Sequence, residues 1–294
     1  MPPVASDALH HESPRMDSPI AQASDSTSRP EESPPSVFSL ELAELDSSAP
    51  IRWLKLGWAD FARCPRIGLF YGLCFFLMGH ALMAVFKSAP EYVLWLSAGF
   101  LLMGPFLCLG LYDASKAMQT NDHRPSLRAS LMSWRPTKGT MGIFAFVLLI
   151  LEMLWGRAAL IVFAVSFNNM PGTVDVMDIV FNPENIGFVV TYLIVGGIFA
   201  TLIFVTSAIS IPMIMDRQTD AISAGLTSIR ACLKNPGVML QWGAMITFII
   251  AVAMAPAFVG LFIAGPVIGH ATWHAYREIV PAQDTAIQEG SPSA

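Results

Sequence analysis

Glu152 stands near the middle of a long apolar run. An ionised carboxylate is heavily penalised there, so the group is expected to be protonated, paired or used. His80 falls at roughly the same depth of a second apolar run, and Arg157 lies five residues beyond Glu152, about 140° around a helix. Glu152, His80 and Arg157 form the candidate intramembrane polar site. One reading is a buried Glu152–His80 or Glu152–Arg157 interaction. The other is a proton- or ion-coupled step through Glu152.

A second group emerges by counting from three prolines, Pro105, Pro212 and Pro266. Asp113 and His274 lie eight residues on, and Asp216 and His270 lie four residues on. These four are expected to form an ionic cluster at one set of helix ends, with Arg217 and Arg277 as counter-charges. The structural alternative is a set of caps and ion pairs where helices leave the bilayer. His270 and His274 are spaced i, i+4, which suits a metal on one helical face. Two imidazoles lack a third ligand, however, and His80 lies ~21 Å along its span against ~12 Å for His270. No metal, haem or other cofactor is expected. There is no P-loop, GxSxG, HExxH or GxGxxG sequence, so no catalytic residue is assigned and no enzyme is expected. The basic residues are spread along one membrane face, which gives no support to nucleic-acid binding.

The elements that must carry these residues are apolar runs. Only 13% of residues are charged, against about 25% in soluble domains, and the mean hydropathy is +0.54. Six runs approach or exceed the ~20 residues that a span requires: 66–86, 92–112, 139–167, 186–215, 238–254 and 257–276. The expected fold is all-α, a polytopic membrane protein with six transmembrane helices in three hairpins. A cytoplasmic amphipathic helix is expected before each hairpin. The repeats cover about 50–113, 125–216 and 219–277.

The surface helices are read from their periodicity. Ile51, Leu54, Trp58 and Phe61 share one face before the first span, opposite Arg52, Lys55 and Arg63. Leu127, Leu131 and Trp134 do so before the third, and Ile222, Leu226, Ile229 and Leu233 before the fifth. Such helices either lie in the headgroup region or pack on the protein's own cytoplasmic face. Pro105, Pro212 and Pro266 each free a carbonyl four residues back, at Leu101, Ala208 and Phe262, and are expected to bend their spans. Gly68-xxx-Gly72 and Gly265-xxx-Gly269 predict close helix packing.

Residues 1–47 are rich in Ser, Pro, Asp and Glu and are expected to be a disordered cytoplasmic tail. Residues 48–280 form the membrane domain, and 281–294 a flexible C-terminal tail. Lys and Arg gather before the first span, between spans two and three, between spans four and five, and after the sixth. The opposite loops hold Lys87 and the acidic residues Asp175, Asp178 and Glu184. By the positive-inside rule both termini are cytoplasmic. The expected location is the bacterial inner membrane. Cys64, Cys74, Cys108 and Cys232 make no CxxC pair, and no structural disulfide is expected.

Particular residues carry a family resemblance. They are Ile211 to Arg217, Ser228, Asn235-Pro236-Gly237, Gln241-Trp242-Gly243 and Gly265 to Arg277, with Gly57-Trp58, Cys64-Pro65 and Tyr71-Gly72 toward the N-terminus. Together they resemble the prokaryotic integral membrane proteins catalogued as domain of unknown function 2189, over roughly Ile51 to Val280. The family has no established activity. Some members carry a cytochrome c oxidase label, which implies at most a respiratory association. A haem-copper catalytic subunit needs about six intramembrane histidines, and this chain offers three candidates at unmatched depths. The expected function is a non-enzymatic membrane scaffold or accessory subunit, with the bilayer and a membrane-protein complex as partners. The alternative is a small-solute or ion transporter that uses Glu152 and the Asp/His cluster.

Overall fold

The computed structural model describes residues 40–88, 93–120, 125–167 and 182–281. Among them there is no strand. Ten α-helices are described: α1 (Ala49–Arg63), α2 (Pro65–Ser88), α3 (Val93–Thr120), α4 (Leu127–Met132), α5 (Lys138–Ser166), α6 (Ile186–Ser207), α7 (Ser210–Arg217), α8 (Ala221–Lys234), α9 (Pro236–Met254) and α10 (Leu261–Ile279). Four segments among the described residues are long and apolar enough to cross a membrane: Pro65–Ser88, Leu127–Ser166, Pro183–Arg217 and Pro236–Met254. The other two expected spans fall on α3 and α10, which carry buried Ser115, His270 and His274. The expected acidic loop residues Asp175 and Asp178, and the tail residues 1–39 and 282–294, lie outside the described residues.

Burial is concentrated at particular helix ends. It takes in the start of α2 (Ile67, Tyr71), the end of α3 (Leu109, Leu111, Tyr112), the start of α5 (Met141, Phe144, Leu148), all of α7 as far as Ile214, the start of α9 (Val238, Met239, Trp242) and the end of α10. These are the ends that the charge pattern assigns to one side. Trp53 of α1 meets Trp242 edge to face at 5.5 Å, and Tyr112 stacks on Trp273. The other halves of the long helices carry their apolar side chains outward: Val165 is 81% exposed and Leu193 67%.

α10 is the helix against which α1, α2, α3 and α9 pack. Two close approaches seat it. Gly57 of α1 lies on the α10 backbone, where an added Cβ would stand 2.6 Å from both the Val267 oxygen and the Ala271 nitrogen. Gly72 of α2 faces the Phe262 carbonyl oxygen. That carbonyl is the one Pro266 frees, since proline has no N–H to donate. The GxxxG glycines therefore do pack helices closely. In α10 itself, Gly265 lies under Phe75 and Gly269 under Leu111.

At Pro212 the expected bend is a full break, with α6 ending at Ser207 and α7 starting at Ser210. The repair comes from another element. Ser228 of α8 accepts from the Ile209 N–H at 3.2 Å and donates to the Val205 carbonyl at 2.7 Å, standing in for the missing Ile209–Val205 ladder bond. Ser207 and Thr206 instead bond carbonyls one turn back within their own helix.

Of the two placements left open for the amphipathic helices, the observed faces agree with the one that turns apolar side chains outward. On α1 the buried residues are Ala49, Pro50, Trp53, Gly57 and Asp60, whereas Ile51 and Trp58 are exposed. On α8, Ala224, Thr227, Ser228, Ala231 and Cys232 are buried, whereas Ile222 and Leu233 stand 75% and 73% exposed. On α8 the small and polar side packs on the protein and the apolar side points away, whereas α1 also buries Trp53. The last eight residues of the expected N-terminal tail are bound to this core. Asn235 donates to the Ala43 carbonyl at 3.0 Å and accepts from the Leu45 N–H at 2.9 Å. Ala43 N–H donates to the Ile279 carbonyl, and Leu42 is buried.

Gly57→Ala forces the α1 and α10 backbones apart and is expected to cost about 1–3 kcal/mol, the range of overpacking. Gly139→Ala, which meets open space, is expected to leave stability unchanged or slightly raised. Thermal unfolding in detergent compares the two.

Candidate functional site

Three helices each contribute polar residues four apart to one buried cluster. α1 supplies Asp60 and, at its C-cap, Cys64; α3 supplies Ser115 and Gln119; α10 supplies His270 and His274. Residues at i and i+4 lie one above the other on a helix, so the three pairs face each other where the helices meet. Asp60, Ser115 and His270 are buried at 4%, 0% and 0% exposure.

Asp60 is the centre. Its Oδ2 accepts from Ser115 Oγ at 2.8 Å and from His274 Nε2 at 2.8 Å. The hydrogen-bond order fixes the protons. Ser115 has one O–H, given to Asp60, so at 2.7 Å its oxygen receives the Nδ1–H of His270. Trp273 Nε1 can only donate, and it reaches Gln119 Oε1 at 3.0 Å. The amide nitrogen of Gln119 therefore faces His274 Nδ1 at 3.1 Å and donates to it. His274 thus presents an Nε2 proton to Asp60. The unprotonated Nε2 of His270 lies 4.0 Å from Cys64 Sγ, whose thiol donates to the Asp60 carbonyl at 3.1 Å.

Burial works against the charge on Asp60, but hydrogen bonds from His274 and Ser115 outweigh it. The carboxyl is held below its ordinary value. Burial, assisted by Asp60, pushes the Cys64 thiol up to about 11, which leaves it an inert thiol at neutral pH.

A second cluster adjoins the first across Trp273 and Tyr276. Asp216, at the end of α7, accepts from Lys116 Nζ at 2.7 Å, Tyr276 OH at 2.8 Å and Arg277 Nη1 at 3.4 Å. Arg217 donates to the Tyr276 hydroxyl at 3.1 Å and to the carbonyls of Val280 and Pro281. The residues counted from the three prolines are therefore divided. His270 and His274 go with Asp60; Asp216, Arg217 and Arg277 go with Lys116 and Tyr276. Asp113 is half-buried on α3. Sequence reasoning missed Asp60, Ser115, Gln119 and Lys116. The i, i+4 spacing of Asp60–Cys64 and Ser115–Gln119, matching that of the histidines, was the available signal.

The intramembrane candidates are not brought together by any bond among the described residues. Glu152 is buried on α5 at 8% exposure, and its Oε2 has no hydrogen-bond partner among the described residues. His80 Nδ1 bonds the Phe76 carbonyl at 3.1 Å, and its ring lies 4.0 Å from that of Phe76. Arg157 is exposed. No group of three or more His, Cys, Asp or Glu among the described residues is arranged to hold a metal.

Four segments among the described residues that are long and apolar enough to cross a membrane mark an integral membrane protein. Residues 93–216 match the family described as predicted integral membrane protein, domain of unknown function 2189. This is the family that the residue pattern resembles, matched over 93–216 and not over the whole of 51–280. The match runs from α3 to α7 and so contains Ser115, Lys116, Gln119, Glu152 and Asp216, while Asp60, His270 and His274 lie outside it. No curated protein and no solved structure matches the chain.

Asp60→Ala strands the His274 N–H and the Ser115 hydroxyl and is expected to cost about 2–5 kcal/mol, since each hydrogen bond to a charged group contributes about 1.5–3 kcal/mol. Asp60→Asn keeps an acceptor oxygen and loses less. The stabilising effect of the Asp60 charge is present above its ordinary value of 3.8 and is lost as pH falls through the lower folded value. Thermal unfolding followed from pH 7 to pH 3 is expected to fall less steeply below pH 4 for Asp60→Asn than for the unsubstituted protein.

Proposed function

We propose that this protein is a non-enzymatic scaffold or accessory subunit of a membrane complex. The observation that carries this reading is the division of the molecule into two unlike parts. At one set of helix ends, buried polar groups are satisfied by one another and held at 2.7–3.1 Å, so they have no unused donor poised for a substrate. The α5–α6 pair, in contrast, presents an apolar flank: Ile161, Leu193 and Ile194 are 64%, 67% and 58% exposed. A rigid base with a free apolar flank suits docking to another membrane protein.

The topology that goes with it has six spans in three hairpins, both termini cytoplasmic, in the bacterial inner membrane. The asymmetry of Lys and Arg supports this orientation. The clustering of buried residues at the start of α2, α5 and α9 and at the end of α3, α7 and α10 also supports it. The outward apolar faces of α1 and α8 support a position for these helices in the headgroup region, where an apolar face meets lipid and basic residues meet phosphate.

A second reading, transport of a small solute or ion, is favoured by one observation, the buried and unpartnered Oε2 of Glu152. A carboxyl without a partner at that depth is available to exchange a proton or bind a cation.

A photoreactive residue placed at Leu193 or Ile194 is expected to crosslink one membrane protein at near-stoichiometric yield in native membranes, and one at Phe248 is not. Crosslinking to lipid alone would sink the accessory reading. Proton or cation flux in proteoliposomes that is abolished by Glu152→Gln would replace it with transport.

A further inference from the structure

We propose that the groove between α1, α9 and α10 is a binding site for one anionic phospholipid of the bilayer, seating an acyl chain along its floor and the phosphate on Lys55. The groove has a volume of ≈ 730 Å³, within the roughly 300–1,000 Å³ of ligand sites. Small residues, Ala253, Gly260 and Ala264, line part of it, with Gly260 N–H bonded to the Ala253 carbonyl at 3.1 Å. Leu54, Ile263 and Val267 supply aliphatic walls. One flank opens directly to the hydrocarbon, since Phe248 and Val252 are 70% and 56% exposed. A chain can therefore enter sideways from the bilayer.

Charge identifies the occupant. Lys55 is the one ionisable residue in this lining. It is exposed, and no ion pair to it is recorded among the described residues, whereas its neighbour Arg52 is engaged by Glu278. Lysine lays its aliphatic stem on apolar surface and holds its ammonium at the polar edge. Trp58, 54% exposed beside it, is a residue type that settles at headgroup level. A single cation at the mouth of an apolar groove matches a single anion at the end of a hydrocarbon chain. A packed helix from another protein would bury the apolar walls but would have no use for the lysine.

The test is native mass spectrometry of the full chain from mixed micelles containing equal phosphatidylglycerol and phosphatidylcholine. The unsubstituted protein is expected to retain one phosphatidylglycerol in preference to phosphatidylcholine. Lys55→Gln is expected to reduce that preference by about fivefold, the contribution of one basic residue at an anionic surface. Val252→Trp, at the exposed rim, is expected to lower retention of both lipids. Each variant is checked for an unchanged melting profile, and Lys55→Arg is expected to keep the preference if Lys55→Gln alters the fold. Equal retention of the two lipids, a preference unaffected by Lys55→Gln, or a lipid-free dimer dispersed by Val252→Trp would each overturn the proposal.

Discussion

The Asp60 carboxylate joins three helices through two hydrogen bonds to one oxygen, and the rest of the packed core depends on it. A charge removed from water needs several donors to offset its desolvation. Here Ser115 comes from α3 and His274 from α10, so α1, α3 and α10 are satisfied together or not at all. The secondary partners narrow the arrangement further. Trp273 can only donate, which orients Gln119, which orients His274. Such chains are costly when half-made and specify one geometry when complete. The contact also explains why α10 is the hub of the fold although it is less uniformly apolar than the helices around it.

Backbone chemistry provides the second constraint. In hydrocarbon a freed carbonyl has no water to bond, so what lies beside it matters. At Pro266 the freed Phe262 carbonyl is met by Gly72, the residue type that allows α2 to approach closely. Near Pro212 the neighbouring ladder gap is closed by a side chain, Ser228, from the following helix. The two prolines occupy comparable places in the sequence but are accommodated by different means. A repeat in sequence therefore sets where the backbone is weakened, and the local neighbours set how it is mended.

The apolar runs and the prolines were legible because each acts locally. Hydropathy is a sum over neighbours in the chain, and proline blocks a bond four residues away. The direction of the amphipathic faces was left open between two alternatives. Ile222, Leu226 and Leu233 share a face of α8 as expected, yet Ala224, Thr227 and Ser228 make its buried side. Periodicity reports that a helix has two faces; which face meets protein depends on whether the medium outside is water or lipid. The boundary of the N-terminal tail shows a related effect. Residues 40–47 are poor in apolar periodicity, but backbone bonds to Asn235 and Ile279 tie them down.

By itself the sequence determined an all-helical membrane protein and the positions of its prolines, glycines and ionisable residues, because these follow from composition and local covalent geometry. Only the tertiary structure decided the partners. It sent His274 to Asp60 and His270 to Ser115 rather than to Asp216, gave Lys116 to Asp216, and left one oxygen of Glu152 without a partner among the described residues. Spacing along a helix fixes which side chains share its face, but the rotation of each helix against its neighbours is set by packing, and that rotation chooses the donor each buried carboxylate meets.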